Sequence, residues 1–207
     1  MKRHLPLLVE RCIQDGQAAR RELESTFERG LRLRRDTVTC LKGCNHCCYN
    51  PVSLSVLEGV TLFRWLSKHR MWTTALKVQF ESVHARTFGL SAGVWLMSQI
   101  PCPLLDEDQG TCRAYEGRPL TCRVTSSTGD PYLCHPHRVS EATGIIPRRE
   151  VLEKKATKEK ALLQRLRVPH GVVPLATAVL LGEQIDKEEI SIQDYPQKTG
   201  RLYLTQA

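Results

Sequence analysis

The stretch Cys40-Leu-Lys-Gly-Cys44-Asn-His-Cys47-Cys48-Tyr-Asn-Pro51 places four cysteines within nine residues. Gly43 and Pro51 mark it as a turn rather than a helix or a strand. Four small sulfur side chains side by side add little to a packed core. Thiolates are, however, strong ligands for zinc and for iron–sulfur clusters. A metal-binding turn is therefore the expectation that the rest of the chain must satisfy, by supplying further ligands and a frame.

The chain has nine cysteines, an odd number for a disulfide framework. Its first apolar run, Leu5 to Val9, is too short for a signal peptide and ends in Glu10-Arg11. The run Leu175 to Leu181 is too short to span a bilayer. These features lead us to expect a cytoplasmic protein with no membrane segment. In that reducing compartment, clustered cysteines bind metal more readily than they pair.

Cys12 falls on the apolar stripe of an amphipathic helix and reads as a buried structural residue. Eight cysteines remain: Cys40, Cys44, Cys47 and Cys48 in one quartet, and Cys102, Cys112, Cys122 and Cys134 in another. Helical sequence separates the quartets, and a helical hairpin can return the chain to its starting point. Eight thiolates suit two four-sulfur sites, or one cluster with reserve cysteines. Structural zinc usually takes two spaced pairs, and the adjacent Cys47-Cys48 departs from that spacing. Neighbouring residues point in different directions, which favours a polynuclear centre or two nearby sites.

The periodicities predict a mainly α protein with a loop-and-hairpin metal core and little β structure. A helix is expected over residues 4–35, with Leu5, Leu8, Cys12, Ala19, Leu23, Phe27 and Leu31 as its stripe. Ser55 and Glu58 have capping-box spacing and start a second helix running to about His69. A third helical segment covers about Thr73 to Gln99, broken near Gly89-Leu-Ser91 or Gly93. Leu104-Leu105 and Thr111-Cys112 flank a polar turn and suggest a hairpin. In that turn Asp106, Glu107 and Asp108 read as turn formers rather than calcium ligands. In Cys134-His135-Pro136-His137 the histidines are possible ligands, most simply read as solvent-facing. A charged helix over Arg148 to Arg167, a buried helix from Leu175 to about Ile185 and an extended tail from Tyr195, with an edge strand at Arg201 to Thr205, complete the reading. The division expected is 1–36, an amino-terminal amphipathic helix; 37–140, the cysteine-cluster core; and 141–207, the basic helix, buried helix and tail.

The formal charge is +8. Residues 1–35 carry nine Lys/Arg against five Asp/Glu, and residues 138–170 carry nine against four. The basic helices 1–35 and 148–167 are compatible with a nucleic-acid or acidic protein partner. Their charges fall at helical surface positions, which favours an ordinary solvated face.

Cys44-Asn-His-Cys47-Cys48 with Cys40 ahead of it, Val52 to Glu58 behind it, Cys102-Pro-Leu-Leu-Asp106, Cys112-Arg-Ala-Tyr115 and Arg118-Pro119-Leu-Thr-Cys122-Arg123 together resemble the YkgJ-type cysteine-cluster proteins. That family is also described as CxxCxxCC, zinc- or iron-chelating. The resemblance covers about residues 40–135, and here three residues separate Cys40 from Cys44 where the family name has two. It implies a metal centre held by the cysteines, either zinc or an iron–sulfur cluster such as 4Fe–4S, and it does not imply a single reaction. The flagellin lysine methylases are similar in cysteine pattern and couple an iron–sulfur centre to S-adenosylmethionine, but nothing else in the chain resembles a methylase. No Gly-rich nucleotide loop, zincin helix or nucleophile elbow occurs. Tyr115 is expected to pack beside the site. Arg118 and Arg123 are expected to hydrogen-bond or offset the thiolate charge. An iron–sulfur protein, either a redox or modification enzyme or an accessory to one, and a zinc-stabilised binding module are the competing functions.

Overall fold

A computed structural model describes residues 5–34, 38–40, 43–138 and 149–199. The architecture is mainly α, as expected, and the β structure among the described residues is two antiparallel pairs of two residues each. Helix α1 spans Leu7–Arg34 and buries Val9, Cys12, Ile13, Leu23 and Phe27. Leu8, expected on this stripe, is 46% exposed. The buried stripe begins one residue later, at Val9, and continues through Cys12 and Ile13. A side chain on Gly16 would face Leu57 and Leu162, and a 3.6-residue period accommodates either stripe until those partners are in place.

Strand β1 (Ser53–Leu54) follows the cysteine turn and leads into α2 (Val56–Lys68). Ser55 caps α2 by accepting from the Glu58 amide at 3.3 Å. The reciprocal half of the expected capping box is replaced, because the Glu58 carboxylate reaches Lys155 instead. Val56, Leu57, Val60, Phe63 and Leu66 are buried, as the sequence predicts. Helices α3 (Thr74–Thr87) and α4 (Ala92–Met97) take caps from Thr73 and Ser91. The break between them falls at Gly89, whose φ of +78° suits glycine. Of the run Val94 to Met97, only Trp95 is buried.

Strands β2 (Leu105–Asp106) and β3 (Thr111–Cys112) form the expected hairpin. The short helix α5 spans Leu120–Arg123, and α6 spans Arg149–Arg165. Helix α6 lies along α1, linked by Lys158–Glu22 at 3.0 Å and Arg165–Asp15 at 2.9 Å. It is not a wholly solvated charged face. Lys155 and Glu159 are buried, with Lys155 between Glu58 and Glu159, and the Ser55 hydroxyl donates to Glu159 at 2.9 Å. Burial sustains these charges only because they are paired and hydrogen-bonded.

Strand β4 (Val173–Pro174) pairs with β1, and the Leu175 amide donates to Val52 O at 2.9 Å. This joins the exit of the cysteine turn to the start of α7 (Leu175–Asp186), the buried helix. Helices α2 and α7 approach until Gly59 and Gly182 meet, and a Cβ built on Gly182 would lie 2.6 Å from the Gly59 carbonyl carbon. Tyr195, expected to open an extended tail, instead begins α8 (Tyr195–Thr199). Its ring is 1% exposed, and the preceding turn closes a Ser191–Asp194 capping box, so burial of the ring and the local cap override extension. The expected strand at Arg201 to Thr205 lies outside the described residues. No helix among the described residues is long and apolar enough to cross a membrane.

Candidate metal centre

The cysteine turn is a turn with one 3-10 segment inside it. Gly43 takes φ +102°, and the segment His46–Tyr49 follows, with the Cys48 amide donating to Asn45 O at 2.8 Å and the Asn50 amide to Cys47 O at 3.1 Å. Three connections bring the second quartet to it. The Cys102 amide donates to Cys48 O at 2.9 Å. The Asn50 side-chain amide donates to Cys134 O at 3.2 Å. The Thr39 amide donates to Ser127 O at 2.9 Å, and its hydroxyl to Gly129 O at 2.6 Å.

The hairpin places Cys112 opposite Leu105, and the Leu105 amide returns to Cys102 O at 2.9 Å. Asp106 accepts from the Gln109 amide at 3.1 Å, which is turn chemistry rather than cation binding. Gly110, with φ +63°, seats the hairpin tip against Asn45 of the cysteine turn. Helix α5 carries Cys122, and the 3-10 segment Pro131–Cys134 carries the last cysteine.

The charge of Cys47 contributes to raising the pKa of each of the other seven thiols, from Cys40 to Cys134. Burial is the main cause raising Cys40, Cys44, Cys102, Cys112, Cys122 and Cys134, with Cys102 pushed up to about 12. Cys48 is raised first by its hydrogen bond to Cys47 and then by burial. Thiols this hard to ionise stay protonated near neutrality unless a cation draws the protons off. Among the described residues, no three His, Cys, Asp or Glu side chains stand closed around an ion; the sulfurs are gathered rather than coordinated.

Local features offset the cost of ionising these sulfurs. The amides of His46, Leu104 and Ala114 hydrogen-bond the sulfurs of Cys44, Cys102 and Cys112, in each case from two residues further along the chain. The Ser127 amide donates to Cys40 Sγ at 3.2 Å. The charge of Arg118 lowers the pKa of Cys40, Cys112 and Cys122, against the larger effect of burial. Its guanidinium lies 3.7 Å from the centre of the Tyr115 ring and donates to Tyr115 O at 3.0 Å. Arg123, also expected at the thiols, turns away to Glu24 of α1 at 2.7 Å and to the carbonyls of Arg118 and Glu116. It anchors α1. Cys12 is fully buried in the helical core, its thiol 3.7 Å from Leu162 O.

The sequence model of the CxxCxxCC family, described as a putative zinc- or iron-chelating domain, matches residues 39–160. The chain belongs to this family. No curated protein and no solved structure gives a significant match. The CxxCxxCC match extends from Thr39 into α6, so it takes in every cysteine except Cys12 and also the buried Lys155 and Glu159. The donor set fits a soft metal: sulfur-rich, equipped with N–H donors, and compensated by Arg118.

Sequence reasoning missed two contributors. Ser127 acts through its backbone amide and leaves no signature in residue type. The Glu58–Lys155–Glu159 cluster was visible only as a cap and an i,i+4 pair on two separate helices. Its nearness to the centre, where Lys155 feels Cys122, emerges only when α2 and α6 meet α5.

Proposed function

We propose that this CxxCxxCC protein holds an iron–sulfur cluster, as a redox or modification enzyme or as an accessory to one. One observation carries the reading: the hydrogen bonds from the Cys102 amide to Cys48 O and from Asn50 to Cys134 O join both cysteine quartets into one structure, and its eight cysteines are more than a single tetrahedral zinc accepts. The ligands are drawn from Cys40, Cys44, Cys47, Cys48, Cys102, Cys112, Cys122 and Cys134, with Cys44, Cys47 and Cys48 ranked ahead of Cys40. When bound, such a cluster supplies one-electron transfer whose potential responds to N–H···S bonds and burial. Arg118 stands over Tyr115 to balance thiolate charge, and the amides of His46, Leu104, Ala114 and Ser127 hold the sulfurs in place. Protein kept anaerobic from lysis is expected to be brown and to contain iron and labile sulfide. Colourless anaerobic protein lacking both removes the reading.

A second reading, a zinc-stabilised module for an acidic partner, draws on the side-by-side packing of α1 and α6, which brings the two basic stretches next to each other. It predicts nucleic-acid affinity that falls steeply with salt through loss of counterion release. Zinc without sulfide, together with such binding, favours it over the first.

A further inference from the structure

A groove of about 350 Å³ lies at the far end of α7 from the cysteine turn. Its apolar walls come from Leu5 and Val9 at the start of α1, Ile185 near the end of α7, and Ile190 and Ile192 beyond it. Glu188 supplies the one carboxyl group in this wall, and no Lys, Arg or His stands among the described residues that line it. Oε1 of Glu188 is buried and accepts no hydrogen bond from the described residues. Nearby cations are committed elsewhere: Lys187 to Glu183 at 2.6 Å, and Arg64 to Glu10 at 2.8 Å and to Asp186 at 2.5 Å. The polar side chains of Ser191 and Gln193 are also engaged within the fold, Ser191 donating to Gln193 and Gln193 to Leu166 O at 3.3 Å. A buried acceptor without a donor is rare in a folded chain. Its position adds to the demand for one. The Glu188 amide donates to Ile185 O at 3.0 Å, which holds the carboxyl beside the C-terminal end of α7. That end of a helix carries partial negative charge, which a cation offsets.

We propose that this groove docks a segment of a partner protein in which a Lys or Arg side chain is flanked by aliphatic residues. The cationic head donates to Glu188 Oε1, while its stem and the flanking side chains lie on the apolar walls. Three features decide the class of occupant. The unpartnered acceptor is an acid, which selects a cation. One carboxyl among apolar walls does not enclose a metal ion, which needs several oxygen ligands. Apolar surface also continues beyond the groove onto Leu7 and Leu8 of α1, 68% and 46% exposed, further than a small amine covers. Occupancy of the groove is independent of the metal centre.

Short fluorescein-labelled peptides with a central Lys or Arg between aliphatic residues, and counterparts with a central Leu, are titrated into the full-length protein and followed by anisotropy. The cationic peptides are expected to bind about tenfold more tightly than the Leu counterparts, and Glu188→Gln removes that difference without weakening the Leu peptides. Ile190→Ser weakens both kinds of peptide by a similar factor, which assigns their aliphatic part to the wall. The Tm of Glu188→Gln is expected to be unchanged or raised, because no internal partner is lost. A lowered Tm means that the carboxyl has a partner within the fold and overturns the proposal. Absence of binding by every cationic peptide overturns it, as does an equal loss for both kinds of peptide in Glu188→Gln. Tighter peptide binding by Lys2→Ala/Arg3→Ala than by the wild type makes the chain's own amino terminus the occupant and overturns the partner.

Discussion

The amide of Cys102 donates to the carbonyl oxygen of Cys48 at 2.9 Å, so the first residue of the second quartet is hydrogen-bonded to the last residue of the first. The two halves of the sulfur set therefore form one structure. Cys112→Ser is expected to lower metal content nearly as much as Cys47→Ser, by about tenfold or more in affinity. Metal analysis of the two variants purified in parallel checks this, and full metal in Cys112→Ser alone removes the two-halves arrangement.

Arg118 favours the ionised forms of Cys40, Cys112 and Cys122 by its charge. Arg118→Gln makes those thiols harder to deprotonate, so the pH midpoint of Co2+ uptake moves upward and affinity at neutral pH falls. Arg118→Lys restores most of the charge but not the planar stacking on Tyr115. A midpoint equal to wild type in Arg118→Gln reduces the residue to a packing role.

Arg123 provides the contrast. Its guanidinium bonds Glu24 and two carbonyl oxygens rather than sulfur. Arg123→Ala is expected to cost about 2 kcal/mol of stability through the lost charge-assisted bonds, with metal content per folded chain preserved. Denaturant unfolding read together with metal analysis distinguishes this from a role at the centre.

Glu159 carries the clearest pH signature outside the cysteines. Burial, joined by the charge of Glu58 and opposed by Lys155, pushes its carboxyl up to about 7. The folded chain then holds a proton that the unfolded chain has released between the ordinary value of 4.5 and about 7. Stability from this group is present at low pH and is lost as pH rises through that window, with a slope of at most about 1.4 kcal/mol per pH unit. Glu159→Gln should flatten the slope. Unfolding free energies of the two proteins at matched metal content, from acid to mildly alkaline pH, give the comparison, and identical slopes contradict it.

Gly59 and Gly182 are set by contact rather than by turn geometry. A methyl group on Gly59 would collide with Ala178 O, and one on Gly182 with the Gly59 backbone. Either Gly→Ala change should therefore destabilise the fold by about 1–3 kcal/mol through overpacking, although alanine is the better helix former. A Tm unchanged or raised in both variants would mean that α2 and α7 separate without cost.

What the amino-acid sequence determined by itself is what short-range chemistry encodes. Cysteine spacing marked the cysteine turn, 3.6-residue periodicity marked α2, α3 and α6, and a nearly all-round apolar run marked α7. Asp106 and Gly110 marked the hairpin, because turn geometry depends on only a few adjacent residues. Tertiary structure decided the rest. Val9 and Ile13 replaced Leu8 on the buried stripe once α1 packed against α2 and α6. Glu58 left its capping box for Lys155, because a buried ammonium requires a counter-ion. Arg123 turned to Glu24 while Arg118 remained over Tyr115. The joining of the two cysteine quartets comes from contacts between residues far apart in the chain, such as Asn50 with Cys134. Spacing along the chain carries no information about such distances, because only the packed helices bring those segments together.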